Sequence, residues 1–255
     1  MGLIIFFLVA CCILSISADG IFGGREVSPH SMPYMAYLTF YTQNRQLSRC
    51  GGVLISEDIV LTAAHCNGTE MTVRLGAHNV EEKEISTQEI KVCKIFPHFK
   101  YKAGIDSSDI MMLKLKNRVV PNRFVLPLPI VRSKKYEIPT PGSYCTTAGW
   151  GKFRTRSDQL SSKLQKVDLK LVSREECSKF FNNINVKEFI CAGDPMEKDK
   201  YASFGDSGGP LFCGKNFQGV YHGARNDKPP TGLYTDLSPY INWITKNMRK
   251  IKCKK

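Results

Sequence analysis

From Ile21 onwards, short apolar runs alternate with turn-forming residues, and no segment repeats. The runs at 34–40, 52–55, 59–63, 72–75, 110–115, 165–171 and 218–221 read as β-strands. Their length and spacing predict an all-β protein built as a sandwich or barrels. Five of the thirteen prolines fall between Pro121 and Pro141. That predicts an extended connector between two β-units, because proline cannot donate to a strand ladder. At the end of the chain the period changes. Tyr240, Ile244 and Met248 recur at helical spacing, with Ile241 and Trp243 beside them. Ser238 is placed to cap this helix and Pro239 suits its first position. Core packing is its expected role.

The N-terminus follows a different rule. Residues 3–16 are almost wholly apolar, too few to span a bilayer comfortably, and small residues follow. This predicts a secretory signal peptide over residues 1–18, cut after Ser17 or Ala18. A buried strand or short anchor is the alternative, but no stop-transfer pattern follows. No second segment is long enough to cross a membrane, so a secreted product with no membrane span is expected.

At 255 residues the chain is long enough for one large all-β domain or two modest ones. Its 42% hydrophobic and 23% charged residues exclude wholesale disorder. Ten cysteines suit an oxidising compartment. Cys11 and Cys12 lie in the signal segment, and the pairing of the other eight is open at this level. No CxxC pair occurs, so neither a metal nor a cofactor is expected. The formal net charge is +13, densest at Arg132, Lys134 and Lys135, at Arg154 and Arg156, and over residues 249–255. A solvated surface accounts for any single run. The sum predicts attraction to polyanions such as sulfated, heparin-like glycans. No helix-turn-helix or RNP-type pattern accompanies it, so specific nucleic-acid binding is not expected.

Candidate chemistry centres on Gly205-Asp206-Ser207-Gly208-Gly209-Pro210. Glycines on both sides permit a tight turn that exposes a hydroxyl beside backbone N–H groups. Such a serine needs a base and a group to orient that base. Leu61-Thr62-Ala63-Ala64-His65-Cys66 ends an apolar run in a histidine, and Asp109 follows Ser107-Ser108 at the start of an alternating run. A structural histidine and a turn aspartate are the ordinary readings of each alone. Together, His65, Asp109 and Ser207 stand in one of the known chain orders of a nucleophilic triad.

Residues 62–66, 109–115, Gly149-Trp150-Gly151 and 205–210 resemble the trypsin/chymotrypsin family of serine proteases, and the resemblance runs from Ile21 to about Met248. Within it, 28–37 and Leu75-Gly76-Ala77-His78-Asn79 are most similar to granzymes and mast-cell proteases. The resemblance implies a chymotrypsin-like fold of two antiparallel six-stranded β-barrels with a C-terminal helix. The peptidase domain would span 21–248, with the first barrel at about 21–122, the second at about 123–237, the helix at 238–248 and a basic tail at 249–255. It implies a serine endopeptidase, secreted or stored in cytolytic or secretory granules, that acts through an acyl-enzyme. Ser207 would be the nucleophile, His65 the general base and Asp109 its orienting acid, with the N–H groups of Gly205 and Ser207 as oxyanion hole. It also implies a zymogen: Asp19-Gly20 would be trimmed, and the freed Ile21 ammonium would pair with Asp206. The residue before Ile21 is neither Arg nor Lys, which favours a dipeptidyl-peptidase-like activator. Phe22 stands where an aliphatic residue is more usual.

Implied disulfides are Cys50–Cys66, Cys145–Cys213 and Cys177–Cys191. Cys93 and Cys253 remain, either bonded to each other in a monomer or leaving Cys93 to link a homodimer. Asn67-Gly68-Thr69 is a glycosylation acceptor pattern. Protein or peptide substrates and serpin-type inhibitors are the implied partners. A protease-fold protein that binds polyanionic glycans without cleaving is the alternative, although such proteins typically lose triad residues.

The pocket departs from the family pattern. Tyr201, six before the serine, replaces the Asp that would select Lys or Arg, and it is expected to fill the pocket base; Asp199 would reach that base only if the 200–204 loop shifted. Ser203 stands where relatives outside the granzyme group carry a cysteine, so that pocket-wall disulfide is missing, as it is in granzymes and mast-cell proteases. The facing strand reads Tyr221-His222-Gly223 and is one residue short of the usual Ser-aromatic-Gly. Asp109 is therefore expected to lose a serine donor, while Gly223 and Gly232 keep the pocket open.

Overall fold

The computed structural model describes residues 21–103, 107–130, 139–152, 159–181, 185–193, 200–224 and 232–253. The signal segment 1–18, the dipeptide 19–20, Arg132, Lys134, Lys135, Arg154, Arg156, Asp199 and the last two lysines lie outside the described residues.

Six strands close a first antiparallel barrel: β2 (Met35–Tyr41), β3 (Leu47–Ser56), β4 (Ile59–Thr62), β5 (Thr69–Leu75), β6 (Gln88–Pro97) and β7 (Met111–Leu115), in the order β2-β3-β4-β7-β6-β5. Strand β4 is buried at all four positions, which is why its run shows no alternation. A second barrel is formed by β8 (Tyr144–Gly149), β9 (Gln165–Val172), β10 (Phe189–Ala192), β11 (Pro210–Cys213), β12 (Asn216–Ala224) and β13 (Gly232–Asp236). The order β9-β10-β13-β12-β11-β8 closes through β8–β9. In β9 buried and half-buried residues alternate strictly, the period of a strand with one face inward. The short β1 (Arg25–Glu26) adds to this second barrel, with Arg25 opposite Lys166 and Glu26 opposite Gln165. The chymotrypsin-like architecture of two six-stranded barrels is therefore present. All seven strand positions read from the sequence fall in strands, with ends moved by a few residues.

The connector between β7 and β8 contains no strand among its described residues, in keeping with its prolines. Helix α2 (Ile241–Met248) follows a single 3-10 turn over Ser238–Tyr240. The expected cap is corrected here. Ser238 is the first residue of the turn and Leu237 its cap, no side-chain hydrogen bond caps either the turn or α2, and the Ser238 N–H itself donates to Asp236 Oδ1 at 2.9 Å. Tyr240 and Ile244 are buried against first-barrel residues such as Met111 and Leu113, and Met248 packs beside them. The chain thus returns to its first barrel after completing the second.

Helix α1 (Arg174–Phe180) was not apparent from apolar periodicity. Its signal is a capping box, Ser173-Arg174-Glu175-Glu176, in which Ser173 Oγ accepts the Glu176 N–H at 3.1 Å. Four disulfides are present: Cys50–Cys66, Cys145–Cys213, Cys177–Cys191 and the intramolecular Cys93–Cys253.

Candidate active site

The two barrels bring His65, Asp109 and Ser207 to one place from three different segments. His65 lies in a 3-10 turn, Ala64–Cys66, directly after β4, and the neighbouring Cys66 is bonded to Cys50 on β3. Its side chain is one-third exposed, whereas that of Asp109 is fully buried. Asp109 precedes β7 and accepts three hydrogen bonds. Its Oδ1 takes the backbone N–H of His65 at 2.8 Å, and its Oδ2 takes His65 Nδ1 at 2.6 Å and His222 Nδ1 at 2.5 Å. Burial opposes the charge on Asp109. The donors from His222 and His65 outweigh it and hold the carboxyl well below its usual range.

An ionised carboxylate only accepts, so both Nδ1 atoms carry the proton. For His65 this leaves Nε2 as the basic nitrogen. The expected loss of a donor to Asp109 is thus corrected: His222 supplies the bond. The reason is a register shift in β12, where Tyr221 pairs with Tyr234 and Gly223 with Leu233, leaving His222 unmatched on the partner strand. A residue extruded from the ladder in this way is re-aimed, and His222 turns towards Asp109.

Asp109 is also braced from behind. Ser108 has a positive φ of 51°, uncommon for a residue with a side chain. Its N–H donates to Glu188 Oε2 at 2.9 Å, and the Tyr240 hydroxyl lies 3.0 Å from the same oxygen and 3.2 Å from Ser108 Oγ. Thr235 Oγ1 donates to the Asp109 carbonyl at 3.0 Å. Glu188, Thr235 and Tyr240 all follow the connector, so this first-barrel aspartate is fixed largely by the second half of the chain.

The serine turn is pinned on each side. Gly51 N–H donates to the Ser207 carbonyl at 2.7 Å, Gly208 N–H to Tyr221 O at 2.9 Å and Tyr221 N–H to Gly209 O at 2.8 Å. Gly205 and Gly208 have φ of +95° and +77°, a region only glycine enters freely. A Cβ on Gly208 would also collide with Thr62 Oγ1 and Gly51 O, so the turn sits tightly on the end of β4 that leads to His65. Among the described residues, no carbonyl accepts from the N–H of Gly205 or of Ser207, and no hydrogen bond joins Ser207 Oγ to His65. Hydrogen bonds of this kind often tighten only with substrate bound.

Asp206 is completely buried. Burial pushes its carboxyl up to about 7, although N–H donors from Ser203 at 2.9 Å and Gly151 at 2.8 Å favour the charge. Gly149 and Gly151 are required beside it, because a Cβ on either would overlap its carboxylate. Among the described residues no side-chain cation pairs with it. Ile21 is also fully buried, in the second-barrel core with Ala202 and Tyr221, and its nitrogen is still an amide of the uncut chain.

Of the pocket candidates, Tyr201 is half-buried, and its ring stacks on Phe22, centroids 4.2 Å apart and 8° from parallel, which gives the unusual residue at 22 a partner. Tyr221 lies deeper. It is buried, its hydroxyl donates to Ala202 O at 2.7 Å, and a Cβ on Gly232 would stand 3.4 Å from its ring and 3.0 Å from that of Tyr234. A Cβ on Gly223 would meet nothing within 4 Å. Asn67 is exposed at the end of the His65 turn.

His65, Asp109 and His222 also form a cluster of metal-ligating types. Two donors on one tetrahedral zinc stand about 3.3 Å apart, given bonds of roughly 2.0–2.1 Å. The 2.5 and 2.6 Å separations here are those of hydrogen bonds. The trio is a proton network and not a metal site.

Comparison with known proteins agrees with this geometry. The Trypsin family model matches residues 21–244. Granzyme-like protein 1 of Rattus norvegicus is 43% identical over 252 residues, covering 98% of this chain and all of that protein. Granzyme B of Rattus norvegicus is 44% identical, covering 91% and 93%, and cathepsin G of Homo sapiens is 40% identical, covering 92% and 90%. A solved structure of GrC superposes with a TM-score of 0.84 at 40% identity, over 90% of this chain and all of that one. The chain therefore belongs to the trypsin family of serine proteases, among relatives that include granzymes and cathepsin G.

Proposed function

We propose that this chain is a secreted or granule-stored serine endopeptidase, made as a zymogen, that hydrolyses peptide bonds through an acyl-enzyme. The observation that carries the reading is the Nδ1 bond of His65 to a fully buried Asp109, beside a glycine-bound turn that presents Ser207. His65 Nε2 takes the Ser207 proton as Oγ attacks the scissile carbonyl, and later returns a proton to the leaving amine. Asp109 stabilises the imidazolium formed in between. The N–H groups of Gly205 and Ser207 hold the developing oxyanion; losing one such donor typically costs about two to three orders of magnitude in rate.

Activation follows from Asp206. Cutting before Ile21 frees an ammonium on a residue already buried in the same core, and pairing it with Asp206 supplies the missing cation. Tyr201, Tyr221, Gly223 and Gly232 line the substrate pocket, with the Tyr221 ring limiting its depth. Exposure of Asn67 supports its use as a glycosylation site, and the partners are peptide substrates, serpin-type inhibitors and sulfated glycans. No helix among the described residues is long and apolar enough to cross a membrane.

The test is a fluorophosphonate probe applied to protein trimmed to begin at Ile21. Trimmed protein is expected to label and to cleave a mixed peptide library, and the Ser207→Ala variant to do neither. Trimmed wild-type protein that fails to label would overturn the reading.

A further inference from the structure

We propose that His222 is a positioning residue, a second imidazole that holds Asp109 in the orientation His65 requires. The inference rests on the assignment of His65 and Asp109 made above. Three observations carry it. His222 Nδ1 approaches the same Oδ2 atom that receives His65 Nδ1, at 2.5 Å against 2.6 Å. Its side chain is only 18% exposed, so water does not compete freely for that bond. The register shift between Tyr221 and Gly223 takes His222 out of the β12–β13 ladder and turns it to the acid.

The ring is fixed from the other side as well. Phe189 of β10 packs on it with centroids 5.3 Å apart, and the His65 ring meets it edge to face at 5.8 Å. Moreover, the neighbouring Tyr221 exchanges two backbone hydrogen bonds with the glycines that follow Ser207. One short segment, Tyr221-His222, therefore holds both the serine turn and the aspartate. That arrangement sets the distance between nucleophile and base across the two barrels, and positioning of this sort governs the rate once substrate is bound.

The oxygen shared by two N–H donors also assigns a protonation state. Because Asp109 is ionised, His222 carries a proton on Nδ1, as His65 does. A ring that merely filled space behind the triad would have no such preference.

The test compares two substitutions of nearly equal shape. His222→Asn places an amide Nδ2 where Nδ1 stands, whereas His222→Leu places a methyl there. Hydrogen bonds to a charged group of this kind convert to roughly ten- to hundredfold in rate. His222→Leu is expected to lose kcat by that factor with KM nearly unchanged, and His222→Asn to recover most of it. Equal loss in both variants, or no loss in His222→Leu, would overturn the proposal. A second measurement needs neither turnover nor a folded variant. Protein labelled with nitrogen-15 at histidine is expected to show a proton on His222 Nδ1 at neutral pH, in the neutral or the charged ring, and a ring protonated at Nε2 alone would refute the assignment. Failure of the trimmed wild type to react with fluorophosphonate would instead count against the protease reading, so the two failures are separable.

Discussion

Asp206 carries a charge-or-proton choice that depends on whether a cation reaches it, and the activation proposed above would supply one. In the uncut chain it is fully buried, and burial pushes its carboxyl up to about 7, far above the usual value of 3.8. Between these two values the folded chain keeps a proton that the unfolded chain has lost. Stability therefore falls as pH rises from about 4 to about 7, by an amount on the order of a few kcal/mol. The uncut Ser207→Ala protein is expected to melt at a lower temperature at pH 7.5 than at pH 4.5, with Asp206→Asn removing most of that difference. Thermal unfolding of the two proteins across this range checks it, and identical slopes would contradict the burial argument. Residue-level chemistry was legible where it is written in local words: His65 after an apolar strand, Asp109 before one, Ser207 among glycines. The role of His222 was not legible, because it depends on a register shift that only pairing with β13 reveals. The same limit applied to Tyr201, whose partner Phe22 is remote in sequence.

At the scale of elements, strands with one face inward or wholly buried were readable, as β9 and β4 illustrate. Strand β6 was not, since its alternation stops at Val92 and the residues from there to Phe96 are half-buried on both faces. Helix α1 escaped for another reason: only Cys177 in it is buried, so it has no apolar stripe. Its stability rests on ends and anchors, namely the Ser173 cap and the bond of Cys177 to Cys191. Ser173→Ala is accordingly expected to cost about 1 kcal/mol. In a domain of this size that lowers Tm by roughly 2–4 °C. Calorimetry and fluorophosphonate labelling of the trimmed variant would show reduced stability with unchanged reactivity. A Tm equal to wild type would mean that the cap contributes nothing.

For the molecule as a whole, the fold class was legible because two barrels need many short strands at regular spacing. The return of the C-terminal helix to the first barrel was not, since nothing in an amphipathic stripe names its partner. The net charge of +13 belongs to this scale too. Fixed positive charge attracts a polyanion over a distance set by salt screening, about 8–10 Å in physiological buffers. The trimmed protein is expected to be retained on immobilised heparin and released progressively as sodium chloride rises. Elution in dilute buffer would contradict the proposal that sulfated glycans are bound.

The Cys93–Cys253 bond gives the chain a property that neither barrel has alone. Residues 21–27 lie against the second barrel before the chain enters the first, the connector crosses once more, and the C-terminal segment crosses back to be fastened at β6. The backbone from Cys93 to Cys253 is thus a closed covalent hoop that passes through both halves. A single proteolytic nick between β7 and β8 opens the hoop without releasing either half, because the disulfide still spans the junction. With that bond intact, one cut in the connector leaves the two halves as a single covalent molecule; once the bond is reduced, only non-covalent packing joins them.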